Sequence, residues 1–109
     1  MVQNIRKNEF ESLIKSSKPV LADFYAEWCS PCKMLAPTIE EIHNEYNDYF
    51  ETVKVNVDEN SELTEYYGVS GIPALLFFKD GREVFRMSGV QTKERIISAI
   101  SEKMGESLV

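Results

Sequence analysis

The chain is poor in the residues that staple or chelate small proteins. Its 109 residues include two cysteines, one histidine and one tryptophan. A structural zinc site of cysteines and histidines takes four ligands, one more than this inventory holds. Two cysteines also make no disulfide scaffold. No apolar run approaches the ~18 residues that a membrane helix needs. The longest, Ile72 to Phe78, is short and contains Pro73. Basic residues are in deficit, with 12 Lys and Arg against 18 Asp and Glu, a net charge of −6. That balance argues against nucleic acid and anionic membranes as partners. No apolar stretch follows Arg6 and Lys7, so no secretory signal is expected and the cytoplasm is the expected location. Repeats, low-complexity tracts and Gly/Ser/Pro-rich linkers are missing too, which leaves a single domain over residues 1–109 as the expectation. What is present suits such a domain: 43% of residues are hydrophobic, enough for one core at a size that buries roughly 60–70% of the unfolded surface.

Periodicity places the elements. Asn8 with Glu11 resembles a capping box, and Phe10, Leu13 and Ile14 then share a helical face, closed by Pro19. Val20 to Ala26 is apolar on both alternating faces apart from Asp23, the pattern of a central strand covered on both sides. Leu35, Ile39, Ile42, Tyr46 and Tyr49 recur at helical spacing, with Pro37 inside the segment. Thr52 to Val57 alternates like a strand with one buried face, Lys54 pointing away from Val53, Val55 and Val57. Ser61 to Tyr67 reads as a short helix capped by Gly68. Ala74 to Lys79 and Glu83 to Ser88 read as a hairpin through Asp80-Gly81. Thr92 opens a last amphipathic helix, and a weak strand lies near Val2–Ile5. The order is β-α-β-α-β-α-β-β-α, an α/β chain whose natural packing is a mixed sheet with helices on both faces.

The chemistry concentrates in Trp28-Cys29-Ser30-Pro31-Cys32-Lys33, between the central strand and the long helix. Both cysteines of the chain stand here, three positions apart, so one sulfur can reach the other at the start of a helix. Pro31 suits the first helical position and Ser30 the cap before it. Cys29 then lies just outside the helix N-terminus, where free N–H groups and the helix dipole stabilise a thiolate. A thiolate attacks disulfides. Cys29 is thus the expected nucleophile, and Cys32 resolves the mixed disulfide by attacking Cys29. His43 lies eleven residues past Cys32, roughly 16 Å along a helix, and cannot join both cysteines on one metal. A zinc site shared between chains and a purely structural disulfide stay open on spacing alone.

Together these segments make a resemblance. Ala22 to Lys33, Pro37, Val55-Asn56-Val57-Asp58, Gly68-Val69, Gly71-Ile72-Pro73, Lys79-Asp80-Gly81 and Gly89, in this order and spacing, resemble the thioredoxin family from about Ile5 to Lys103. The resemblance implies the thioredoxin fold, a central mixed five-stranded sheet flanked by four helices. It implies a protein thiol–disulfide oxidoreductase, re-reduced by a thioredoxin reductase drawing on NADPH. Disulfide-bearing proteins are the implied substrates, and the protein is expected to act as a monomer. No bound cofactor or metal is expected, since the dithiol carries the electrons. The resemblance also places Asp23 beneath the active site as the proton acceptor for Cys32, against the alternative of an acid at an exposed strand end. It places Lys54 near that acid, against a plain solvated lysine. Trp28, Ile72, Pro73 and Gly89 become the substrate groove, with Ile72 presenting its backbone to a bound strand. Sequence alone favours a trans Ile72–Pro73 bond; the resemblance implies cis.

The chain departs from the commonest family pattern at Ser30, where glycine is usual, at Tyr25, where tryptophan is frequent, and at Ala74, where threonine is common. None of these is a reacting group. Ser30 and Pro31 lie inside the redox ring, so they bear on the potential. Two rival readings are a more oxidising relative and a binding module whose cysteines are incidental.

Overall fold

The structure is a computed structural model that describes residues 1–108. The chain runs β1 (Gln3–Asn4), α1 (Lys7–Ile14), β2 (Val20–Tyr25), α2 (Ser30–Tyr46), β3 (Glu51–Asn56), α3 (Ser61–Tyr66), β4 (Ala74–Lys79), β5 (Arg82–Ser88) and α4 (Lys93–Met104). One five-stranded sheet has the order β1-β3-β2-β4-β5. β3 pairs parallel with β1 and β2, whereas β4 pairs antiparallel with β2 and β5. The element order and the mixed sheet are those expected.

The period of two along β2 divides the core. Val20, Ala22 and Phe24 face one side, with Val53 and Val55 of β3, Leu76 and Phe78 of β4, and Phe10, Ile14 and Leu63 from α1 and α3. Leu21 faces the other, with Leu75 and Phe77 of β4 and Leu35, Ile39, Ile42, Ile96, Ile97 and Ile100 from α2 and α4. Every residue of β2 is buried, because helices cover both faces and strands flank both edges.

Several local expectations differ from the structure. The first helix starts at Lys7 after Arg6, not at Asn8: the Glu9 carboxylate reaches back to accept the Arg6 N–H at 3.2 Å. This acid satisfies a backbone donor that would otherwise need a cap residue. Tyr49 lies beyond α2, which ends at Tyr46, and is exposed. β3 is buried on more than one face, since Thr52 and Asn56 are buried as well as Val53 and Val55; a strand flanked by β1 and β2 has little open surface. The hairpin turn is as expected, with Asp80 at φ 55° and Gly81 at φ 80°, the paired positive φ of a type I′ turn.

Candidate active site

The redox pair is built by the junction of β2 and α2. After Tyr25 the chain turns, and the Cys29 N–H donates to the Ala26 carbonyl at 3.2 Å. Cys29 is extended, at φ −91° and ψ 108°, and is itself the N-cap of α2. Its carbonyl accepts the Lys33 N–H at 3.2 Å, and its Sγ accepts the Cys32 N–H at 3.2 Å. Ser30 is therefore the first helical residue rather than the cap, and Pro31 the second. Sulfur takes the place that a Ser or Asp oxygen fills in most helices. Pro31 costs nothing there, because first-turn N–H groups have no intrahelical partner. Cys29 and Cys32 are joined in a disulfide with Cα atoms 5.2 Å apart, within the usual range for such a bridge. Each is 4% exposed.

The strand that leads into the pair carries a buried acid, Asp23. Asp23 and Tyr25 share the α2/α4 face of β2, because they are two residues apart. Lys54 is the register partner of Asp23 across the parallel β2–β3 pair, so its side chain leaves on the same face. Asp23 is 1% exposed and its Oδ1 has no hydrogen-bond partner. Burial pushes its carboxyl pKa up to about 7, opposed by the positive charge of Lys54. Asp23 is thus not an acid at an exposed strand end, and half-buried Lys54 is not a freely solvated lysine. The Lys54 ammonium lies 4.2 Å from the centroid of the Tyr25 ring. A small cavity of about 60 Å³, lined by Tyr25, Ala26, Glu27, Cys32, Lys33 and Lys54 among others, adjoins this group.

On the other flank the chain returns at the start of β4. The Ile72–Pro73 bond is cis, as the resemblance implied and sequence alone did not. The Ile72 carbonyl oxygen is 3.8 Å from Cys29 Sγ. The Pro73 carbonyl accepts the Gly89 N–H at 2.9 Å, and Gly89 has φ +81°, a conformation that favours glycine. Trp28 is no core residue: it is 69% exposed, and its indole N–H donates to Asp58 Oδ2 at 2.8 Å. Asn56 Oδ1 in turn accepts the N–H groups of Asp58 and Glu59 at 2.9 and 3.2 Å.

Asp58, Asn56 and the ring of Tyr25 are parts of this site that sequence reasoning missed. Asp58 did stand in the Val55–Asp58 segment, but thirty positions separate it from Trp28 and nothing local signals the contact. Among the described residues no group of three or more His, Cys, Asp and Glu side chains could hold a metal ion. None of their helices is long and apolar enough to cross a membrane.

A disulfide between a helix N-cap and the residue one turn later, at the end of a central strand, is the centre of a thiol–disulfide oxidoreductase. Known proteins agree with that class. The family model described as Thioredoxin matches residues 1–102. The chain is 45% identical over 102 residues to a thioredoxin of Chlamydia pneumoniae, covering 94% of this chain and 98% of that one. It is 43% identical over 101 residues to a thioredoxin of Acidithiobacillus ferridurans, covering 92% and 94%. The crystal structure of Malassezia sympodialis thioredoxin superposes with a TM-score of 0.86 at 33% identity, covering 94% of this chain and 90% of that one. The chain belongs to the thioredoxin family.

Proposed function

We propose that this protein, acting as a single domain over residues 1–109, reduces disulfides in other proteins. The observation that carries the reading is the sulfur cap of α2: Cys29 Sγ already accepts a backbone N–H from the first helical turn. The same N–H and the helix dipole stabilise a Cys29 thiolate once the disulfide is opened. That thiolate attacks one sulfur of a substrate disulfide, forming a mixed disulfide and releasing a substrate thiolate, which takes a proton from water. Cys32 then loses its proton to the Asp23 carboxylate and attacks Cys29 Sγ. The Cys29–Cys32 bond forms, the mixed disulfide breaks, and the second substrate sulfur leaves reduced. Two electrons have passed from the dithiol to the substrate.

An acid with a pKa near 7 suits the proton step, since a group poised near working pH accepts and returns a proton readily. Burial around Asp23 supports this assignment. Exposed Trp28, with half-buried Ile72 and Gly89 and buried cis Pro73, serves as the groove for an extended substrate segment, paired through the Ile72 backbone next to Cys29. Ser30 and Pro31, within the redox ring, and Lys54, beside Asp23, tune the pair. A thioredoxin reductase using NADPH restores the dithiol, which serves as a cytoplasmic electron carrier working as a monomer with no bound cofactor.

The test is insulin disulfide reduction with dithiothreitol as electron source. Wild type should turn over rapidly and Cys29→Ser not at all. Cys32→Ser should accumulate a mixed disulfide visible by mass spectrometry. A wild-type rate no greater than that of dithiothreitol alone would exclude general disulfide reduction.

A further inference from the structure

The geometry points to Tyr25 as a positioning residue for the buried acid: its ring holds the Lys54 ammonium off Asp23 and so keeps that carboxyl able to take a proton. The inference rests on the proposed proton role of Asp23 and adds to it a residue that modulates its proton affinity through Lys54.

The arrangement follows from sheet register. Asp23 and Lys54 are partners across β2 and β3, and Tyr25 is partnered with Asn56 one pleat further on. All lie on one face, so Lys54 has two negative features within reach: the carboxylate of Asp23 beside it and the ring face of Tyr25 diagonally ahead. The ammonium is found over the ring, 4.2 Å from its centroid. Asp23 Oδ1 is left with no donor at all. A direct Lys54–Asp23 pair would favour the ionised acid and lower its pKa. Attraction to the aromatic face competes for the same charge.

The remaining surroundings do not supply a substitute. On β4 the register partner of Asp23 is apolar Leu75. From α2, Cys32 and Lys33 reach the cavity that Tyr25 and Lys54 also line, and Glu27 closes it from the turn after β2. Burial raises the pKa of the Tyr25 phenol, a hydrogen bond with Asn56 lowers it, and the charges of Glu27, Glu59 and Asp23 add to the rise. Lys54 is the charge that opposes the rise in the Asp23 pKa. Its position is thus the variable, and the ring fixes its position. Tyrosine matters here for its face rather than its hydroxyl, so phenylalanine should serve as well.

The experiment is a titration of the Asp23 carboxyl carbon by NMR in the oxidised protein. Tyr25→Phe should leave the midpoint unmoved. Tyr25→Leu should lower it by about half a pH unit or more, as Lys54 swings to the acid. Tyr25→Met provides a second ringless variant of closer length should the leucine variant fold poorly. Lys54→Gln should raise the midpoint, and adding Tyr25→Leu to Lys54→Gln should change it no further. An unmoved midpoint in the folded ringless variants would overturn the inference. So would an equal fall with and without Lys54, which would mean that the ring merely excludes water. A Tyr25→Phe midpoint like that of Tyr25→Leu would overturn it as well, since the hydroxyl would then be the active feature. No turnover is needed for the readout, so its failure is separable from failure of the reductase reading.

Discussion

Asp23 is the residue whose chemistry and stability pull against each other. A core strand with Leu21 before it and Leu75 across from it would be steadier with an apolar residue at this place. Its carboxyl rises from 3.8 to about 7 on folding, so the native state holds a proton that the unfolded chain gives up. The sign follows from linkage. Where the folded state binds more protons, stability falls as pH rises. The loss therefore starts above the unfolded pKa near 4 and levels off above the folded pKa near 7. Asp23→Asn carries no such slope. Urea unfolding at pH 5 and pH 8 should show wild type losing about 2–3 kcal/mol more than Asp23→Asn over that interval, because each tenfold difference in proton affinity between the two states is worth about 1.4 kcal/mol. The variant should also be the slower disulfide reductase, because Cys32 then has no carboxylate to receive its proton. Equal pH slopes in the two proteins would mean that the carboxyl keeps its unfolded pKa in the folded state.

At the scale of elements, what sequence reveals depends on how local the cause is. The β4–β5 hairpin was legible in Asp80-Gly81 because both residues adopt positive φ, and few residue types do so cheaply. A Cβ on Gly81 would meet only the Ile14 carbonyl oxygen at 3.8 Å, an ordinary contact. The cost of Gly81→Ala is therefore conformational, about 1–2 kcal/mol for an L-residue in that region. A stability lowered by that amount in urea unfolding, with insulin reduction intact at 25 °C, is the expected outcome. Helix starts were less legible. Ser30 resembles a cap by residue preference, yet Cys29 holds the position because its sulfur takes the Cys32 N–H. Asn8 resembles one too, yet Glu9 satisfies the donor before it. Legible least of all were pairs made by register. Lys54 against Tyr25 and Trp28 against Asp58 meet only once β2 and β3 are aligned. The cysteines, the acid, the proline, Lys54 and Trp28 could be named from sequence and resemblance, but not the contacts of Lys54 with the Tyr25 ring and of Trp28 with Asp58.

The sheet has a buried core on each face, and only one of them shares its face with Asp23. The α1/α3 face centres on Phe10, fully buried, whose ring meets Phe24, Phe78 and Tyr67 edge-on with centroids 6.2, 5.2 and 5.9 Å away. Such pairs add to the burial of the ring itself. The redox pair lies elsewhere: Cys29 and Cys32 pack with Tyr25 and Ala26 at the end of β2, and Asp23, the proposed proton acceptor, points to the α2/α4 face. No residue of the Phe10 cluster touches the cavity beside Cys32. Phe10→Ala should therefore cost about 3–5 kcal/mol of stability, the usual range for removing a buried aromatic ring. That is a large share of the roughly 5–15 kcal/mol available to a small domain, so the comparison belongs at low temperature, where circular dichroism can verify folding. Under those conditions the insulin turnover per folded molecule and the Asp23 titration should both match wild type. A shifted titration in the folded variant would mean instead that packing on one face of the sheet sets the position of Lys54 on the other, carried through the shared strands β2 and β3.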